Sequence, residues 1–176
     1  MLKSTITKAT YEEIYRRWDE VTPAAFDCGK ICGAACCHAN DRNGPDERLG
    51  IYLLPGEEKL HDRHDGYFTW SWDDAADYDF PESWQGKVAF LDCNDPDHCH
   101  RKERPIQCRT FPLKPQLSGD GELTLIYDDT DLPYVCPLIE QEAELEEEFR
   151  RVTYENWEIL VQDPLIRDLV LMDSKT

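Results

Sequence analysis

Four cysteines fall within ten residues, at Cys28, Cys32, Cys36 and Cys37 of the segment CGKICGAACC. A lone thiol is often a small buried hydrophobe, but packing does not explain four together with two of them adjacent. Vicinal thiols left to themselves are also prone to oxidation. Four-sulfur sites are what zinc and iron–sulfur clusters use. The repeated spacing of four would set Cys28, Cys32 and Cys36 on one helix face. Gly29 and Gly33 argue that part of the segment is instead a tight loop, with backbone drawn close around an ion. Either geometry gathers several sulfurs.

Four more cysteines follow, Cys93, Cys99, Cys108 and Cys136. The redox compartment decides how all eight are read. The opening stretch MLKSTITKATYEEIYRRW is charged and has no apolar core of a signal peptide. No stretch approaches the roughly 18 apolar residues of a membrane span. A cytoplasmic location is therefore expected, and there metal or redox chemistry is a better reading than a disulfide framework. The 176 residues carry 37 Asp and Glu against 19 Lys and Arg, a net charge of -18. Such a field disfavours nucleic acid and anionic membranes as partners and suits a basic protein or peptide. Disorder does not follow, because 5 Trp, 8 Tyr and 6 Phe supply core material.

The pattern predicts one α+β domain over 1–176, with terminal helices around a short, mostly antiparallel sheet and a Cys-rich metal site as a staple. Thr10 and Glu13 read as a capping box for a first helix bearing Tyr11, Ile14, Tyr15, Trp18 and Val21 at helical spacing. Residues 40–48 read as a polar loop and LGIYLLP as a short strand. Glu57 to Leu60 read as the start of a short helix. In 67–72, Phe68, Trp70 and Trp72 alternate with polar residues, the mark of a strand with an aromatic face. Residues 87–92 and 121–129 are further strands. Three prolines make 103–117 irregular. One helix is expected from Pro137 through Leu160, with Leu138, Leu145, Phe149, Val152 and Trp157 inward and an acidic outer face. A shorter helix follows from Leu165 to Met172.

A second motif, CHRKERPIQCRTFPLKP at 99–115, adds chemistry of its own. Residues 98–117 hold Arg101, Lys102, Arg104, Arg109 and Lys114 against Glu103, a net +4, which leaves -22 on the remainder. Cations beside cysteines lower thiolate pKa values and offset the charge of a tetrathiolate site. Pairing of the same cations with the acidic stretch 140–148 is an equal alternative. Arg104 and Arg109 are the candidate hydrogen-bond donors to sulfur.

On these residues the chain resembles the zinc- or iron-chelating cysteine-cluster family named for its CxxCxxCC motif. CGKICGAACC, IYLLPGEE at 51–58, the Cys–Arg-Pro–Cys-Arg–aromatic–Pro pattern of 99–115 and YVCPL around Cys136 carry the resemblance, which spans most of 26–137. Three residues, not two, separate each of the first cysteines here. The resemblance implies a ligand pool of Cys28, Cys32, Cys36, Cys37, Cys99, Cys108 and Cys136, holding zinc or an iron–sulfur cluster. Which four bind stays open, and Cys93 matches nothing in the family pattern. Flagellin lysine methylase is similar in its cysteine pattern, which implies an alternative, a cluster-dependent enzyme acting on a protein or small substrate.

Weaker signals complete the reading. His98 and His100 flank Cys99 and His38 follows Cys37, each a potential zinc ligand but expected in solvent. His61 and His64 are expected in an exposed polar turn. Trp70, Trp72 and Trp84, set among carboxylates, offer ring faces for an ammonium group. A packed aromatic face with a solvated acidic loop is the plainer expectation. A third function follows from that surface, an adaptor whose metal only holds it in shape for a basic partner.

Overall fold

A computed structural model of the chain describes residues 2–26, 29–37, 51–95 and 98–175. Cys28, His38 and the expected loop 40–48 lie outside the described residues. Helix α1 runs Lys8–Asp19. Its N-cap is Thr7, whose hydroxyl accepts from the Thr10 amide at 3.1 Å. The expected capping box at Thr10 and Glu13 is therefore corrected. Thr7 takes the cap three residues earlier, and Glu13 turns to Arg16 and Arg17. Tyr11, Ile14, Tyr15 and Trp18 form the buried face. Each such side chain contributes on the order of 2 kcal/mol by leaving water. Val21 falls beyond the helix end.

A one-turn helix α2, Gly29–Cys32, precedes strand β1, Ile51–Tyr52. Strands β2, Phe68–Asp74, and β3, Lys87–Cys93, follow. They make a three-stranded antiparallel sheet with β3 in the centre. Both faces of β3 are covered. Val88 and Phe90 enter the main core with α1, while Ala89 and Leu91 pack against Leu53 and Phe68 on the other side. Trp70, Trp72 and Cys93 join that second cluster.

The segment 103–117, expected to be irregular, contains helix α3, Ile106–Thr110, and strand β4, Leu113–Leu117. The prolines occupy places that tolerate them. Pro105 is the N-cap of α3, Pro112 precedes the strand, and Pro115 sits in a two-stranded ribbon with an unpaired edge. The partner strand β5, Leu123–Tyr127, is antiparallel.

The single helix expected from Pro137 is broken. A short α4, Pro137–Glu140, ends in a turn at Glu142 with φ +44. Helix α5, Glu147–Leu160, and helix α6, Pro164–Asp173, follow. The indole of Trp18 donates to Thr153 at 3.0 Å, locking α1 on α5. Trp157 donates to Thr110 at 2.9 Å, which fixes the end of α3 on the same helix. The architecture is α+β with two small antiparallel sheets. Among the described residues no helix is long and apolar enough to cross a membrane.

Candidate functional site

Three separate segments bring cysteines to one cleft of about 1250 Å³. The first follows α2. Gly33 and Ala34 both have positive φ, +63 and +52, and this left-handed pair turns the chain back. The Cys37 amide then closes on the Ala34 carbonyl at 2.8 Å. Both sequence geometries are thus present in part, a helical turn and then a tight loop. Cys36 and Cys37 line the cleft with their sulfurs 3.9 Å apart. The second segment is the end of β3 and the turn after it, which supply Cys93 and Cys99. The third is α3, which supplies Cys108.

Arg104 joins them. Its Nε donates to Cys99 Sγ at 3.0 Å. Arg109, the other expected donor to sulfur, does different work. It is 7% exposed and donates to the carbonyls of Arg104 and Lys102, both at 2.6 Å, and to Asp19 at 2.9 Å. Its guanidinium also lies 4.2 Å from the Tyr15 ring centroid. Arg109 therefore staples the 101–105 loop to α1. Lys114 pairs with Asp129. Neither of these pairs uses the acidic stretch 140–148.

The cysteines shape each other's ionisation. Burial raises the Cys93 thiol to about 11, helped by Cys37 and Cys99 and opposed by Arg104. Burial raises Cys108 further, again with Cys37 and Cys93 adding and Arg104 subtracting. Contact with Cys37 raises Cys36. Without a cation these groups stay protonated. A dication held between them would lower these pKa values and take the place of the protons. The donor set is soft sulfur with one guanidinium beside it, which suits zinc or an iron–sulfur cluster. Among the described residues no three His, Cys, Asp or Glu side chains stand at metal-binding spacing, and a metal held here would need the sulfurs to close in.

The remaining expected ligands divide. Cys32, at the end of α2, is half-buried and does not line the cleft. Cys136, at the N-cap of α4, packs with Leu113, Leu138, Leu145 and Phe149. His98 and His100 line the cleft and are exposed. His98 pairs with Asp95 at 3.1 Å, and His100 lies against the Tyr67 ring at 3.9 Å between centroids.

Beneath the cleft lies a buried polar network that the sequence did not announce. His61, expected in solvent, is 6% exposed, and Glu57 is fully buried. Gly56 makes the approach feasible. Its φ is +92, and a Cβ there would stand 3.0 Å from Ser4 Cβ. Glu57 Oε1 accepts from the Ile106 amide at 2.7 Å and the Tyr15 hydroxyl at 2.5 Å, and Oε2 accepts from the Leu54 amide at 2.9 Å. Burial pushes the Glu57 carboxyl up, and these donors with Arg109 hold it back.

Tyr15 Oη also meets His61 Nε2 at 2.9 Å. The single Tyr15 proton goes to Glu57, so His61 must donate from Nε2. Burial lowers the His61 pKa to about 4, so the ring is neutral at pH 7 and Nδ1 carries the lone pair. Imidazole nitrogen shifts measured by NMR at pH 7 will show the Nε2–H tautomer. The Nδ1–H tautomer or an imidazolium would contradict this network.

The aromatic surface follows the plainer expectation of a packed face. Trp84 is 3% exposed, and its indole donates to the Leu165 carbonyl at 2.9 Å. It offers no ring face to a ligand, because Phe80 stacks on it and Tyr52 meets its edge. Trp70 and Trp72 are half-buried, and the guanidinium of Arg63 stands over both, at 5.3 and 4.8 Å from their centroids. The protein's own cation holds the place expected for a partner's ammonium.

Sequence reasoning left Cys93 outside the ligand pool because it matched nothing in the family pattern, and the structure places it on the cleft with the others. Compared with family models, curated proteins and solved structures, the chain matches none of them.

Proposed function

We propose that this protein binds a thiophilic metal, zinc or an iron–sulfur cluster, in the cysteine-lined cleft, within a reducing cytoplasm. The observation that carries the reading is the convergence of Cys36, Cys37, Cys93, Cys99 and Cys108 from three segments on one cleft. The 3.0 Å bond from Arg104 to Cys99 supports it, because a guanidinium donor offsets the charge of a thiolate site. Similarity to the CxxCxxCC family in the motifs of 28–37 and 99–115 points the same way. Four thiolates around zinc would close the coordination sphere and act structurally, whereas an iron–sulfur cluster would add electron transfer or sensing.

Protein purified without oxygen is expected to carry zinc, or iron with sulfide, in a fixed ratio to the chain. Chelation should then raise hydrogen exchange in 29–37 and 99–110, leaving α1 and α5 protected, because binding energy at such sites is folding energy. Fully reduced protein that holds neither metal and takes up neither on reconstitution would refute the reading.

A further inference from the structure

We infer that Cys93, and not Cys136, completes a four-sulfur group with Cys37, Cys99 and Cys108. The inference rests on the metal-binding reading and specifies its ligands.

All four residues line the same cleft, and Cys136 does not line it. Three of the four are anchored by contacts outside the thiol, and Cys99 by a donor to its sulfur. Cys93 closes β3 opposite Phe68. The residue after it, Asn94, is held three ways. Its amide donates to the Tyr67 carbonyl at 3.0 Å and its side-chain nitrogen to the Gly66 carbonyl at 2.9 Å. Its side-chain oxygen accepts from Thr69 at 2.8 Å. Cys99 receives Arg104. Cys108 rides on α3, whose first amide is fixed by the buried Glu57. Cys37 is set by its turn. Ligands held in advance by their surroundings lose less freedom on binding.

Cys36 is the exposed neighbour of Cys37, placed at the rim. Cys136 sits among leucines and Phe149, the environment of a small buried hydrophobe. Four thiolates around a dication leave a surplus of negative charge, and Arg104 is the cation at hand.

The test uses Co²⁺ as a probe under anaerobic conditions, because its sulfur charge-transfer absorption grows with each thiolate bound. Cys93→Ser is expected to lose about a quarter of that absorption and to bind about tenfold more weakly or worse. Cys136→Ser should match the wild type. Circular dichroism of both variants checks that they fold. A second measurement needs no variant. In the wild-type protein, Co²⁺ should protect Cys93 from alkylation and leave Cys136 as reactive as before, read residue by residue by mass spectrometry. If Cys93→Ser equals wild type, or Cys136 is protected and Cys93 is not, the assignment is wrong while the metal reading stands. Wild-type protein that takes up no Co²⁺ overturns the metal reading, and this inference with it.

Discussion

Asp163→Ala will lower the stability of this protein by about 3–5 kcal/mol. Asp163 is fully buried. Its Oδ2 accepts from Ser4 Oγ at 2.8 Å, the Thr5 amide at 2.6 Å and Thr5 Oγ1 at 2.9 Å. Its Oδ1 accepts from the amides of Leu165 and Ile166 at 3.0 and 3.2 Å. The second pair is an ordinary helix cap, worth about 1 kcal/mol. The first three bonds set this residue apart, because they tie the start of the chain to the start of α6. Alanine leaves all five donors without their acceptor. Asparagine retains one acceptor oxygen and should cost less. Urea denaturation midpoints of the two variants and the wild type give the comparison. A loss under about 1 kcal/mol for the alanine variant would show that water replaces the carboxylate well.

The same residue predicts part of the acid response. Burial works against the Asp163 carboxylate, but the donors from Thr5, Ser4 and Ile166 outweigh it and hold its pKa below the ordinary value. A depressed folded-state pKa gives stability that is complete above the unfolded value, about pH 4 for aspartate. That stability is lost as pH falls through the folded value. Melting temperatures should therefore decline below about pH 4 more steeply in the wild type than in Asp163→Asn.

Glu57→Ala should be comparably damaging, about 3–5 kcal/mol. It removes the buried acceptor for Tyr15, Leu54 and Ile106 at once. Glu57→Gln keeps the shape, but its amide NH2 then faces a donor where the carboxylate had a second accepting oxygen. About half the loss is expected from it. A second readout follows α3, whose first amide Glu57 fixes: alkylation of Cys108 should quicken in Glu57→Ala under native conditions. An unchanged Cys108 rate would separate the network from the cleft.

The helices and strands that declare themselves by period were legible. The buried face of α1 and the alternation in β2 are local patterns, and the core follows them. What was illegible depended on partners distant in sequence. Three prolines hid α3 and β4 because a proline's cost depends on whether its missing N–H faces another strand. The run Glu57–His61 gave no hint of burial, since the distant Tyr15 and Ile106 supply partners for its buried groups. The pairing of Cys36 with Cys37 could be read directly, because it is local. The meeting of Cys93, Cys99 and Cys108 with Cys36 and Cys37 on one cleft could not, because it joins segments far apart in sequence.

The central strand has a consequence for how this chain can change over evolutionary time. β3 places Val88, Phe90 and Asp92 on one face and Ala89, Leu91 and Cys93 on the other, and the inward residues of both faces are committed to separate apolar clusters. One residue inserted or deleted between 88 and 92 would invert whatever follows it. Cys93 would rotate toward the main core and Asp92 toward the thiols, a double fault from a single codon. The turn after Cys93 carries no such parity. Length variation in descendants of this gene should therefore accumulate beyond Asn94 and be purged from the strand, with the sheet acting as the ruler that keeps the sulfur in place.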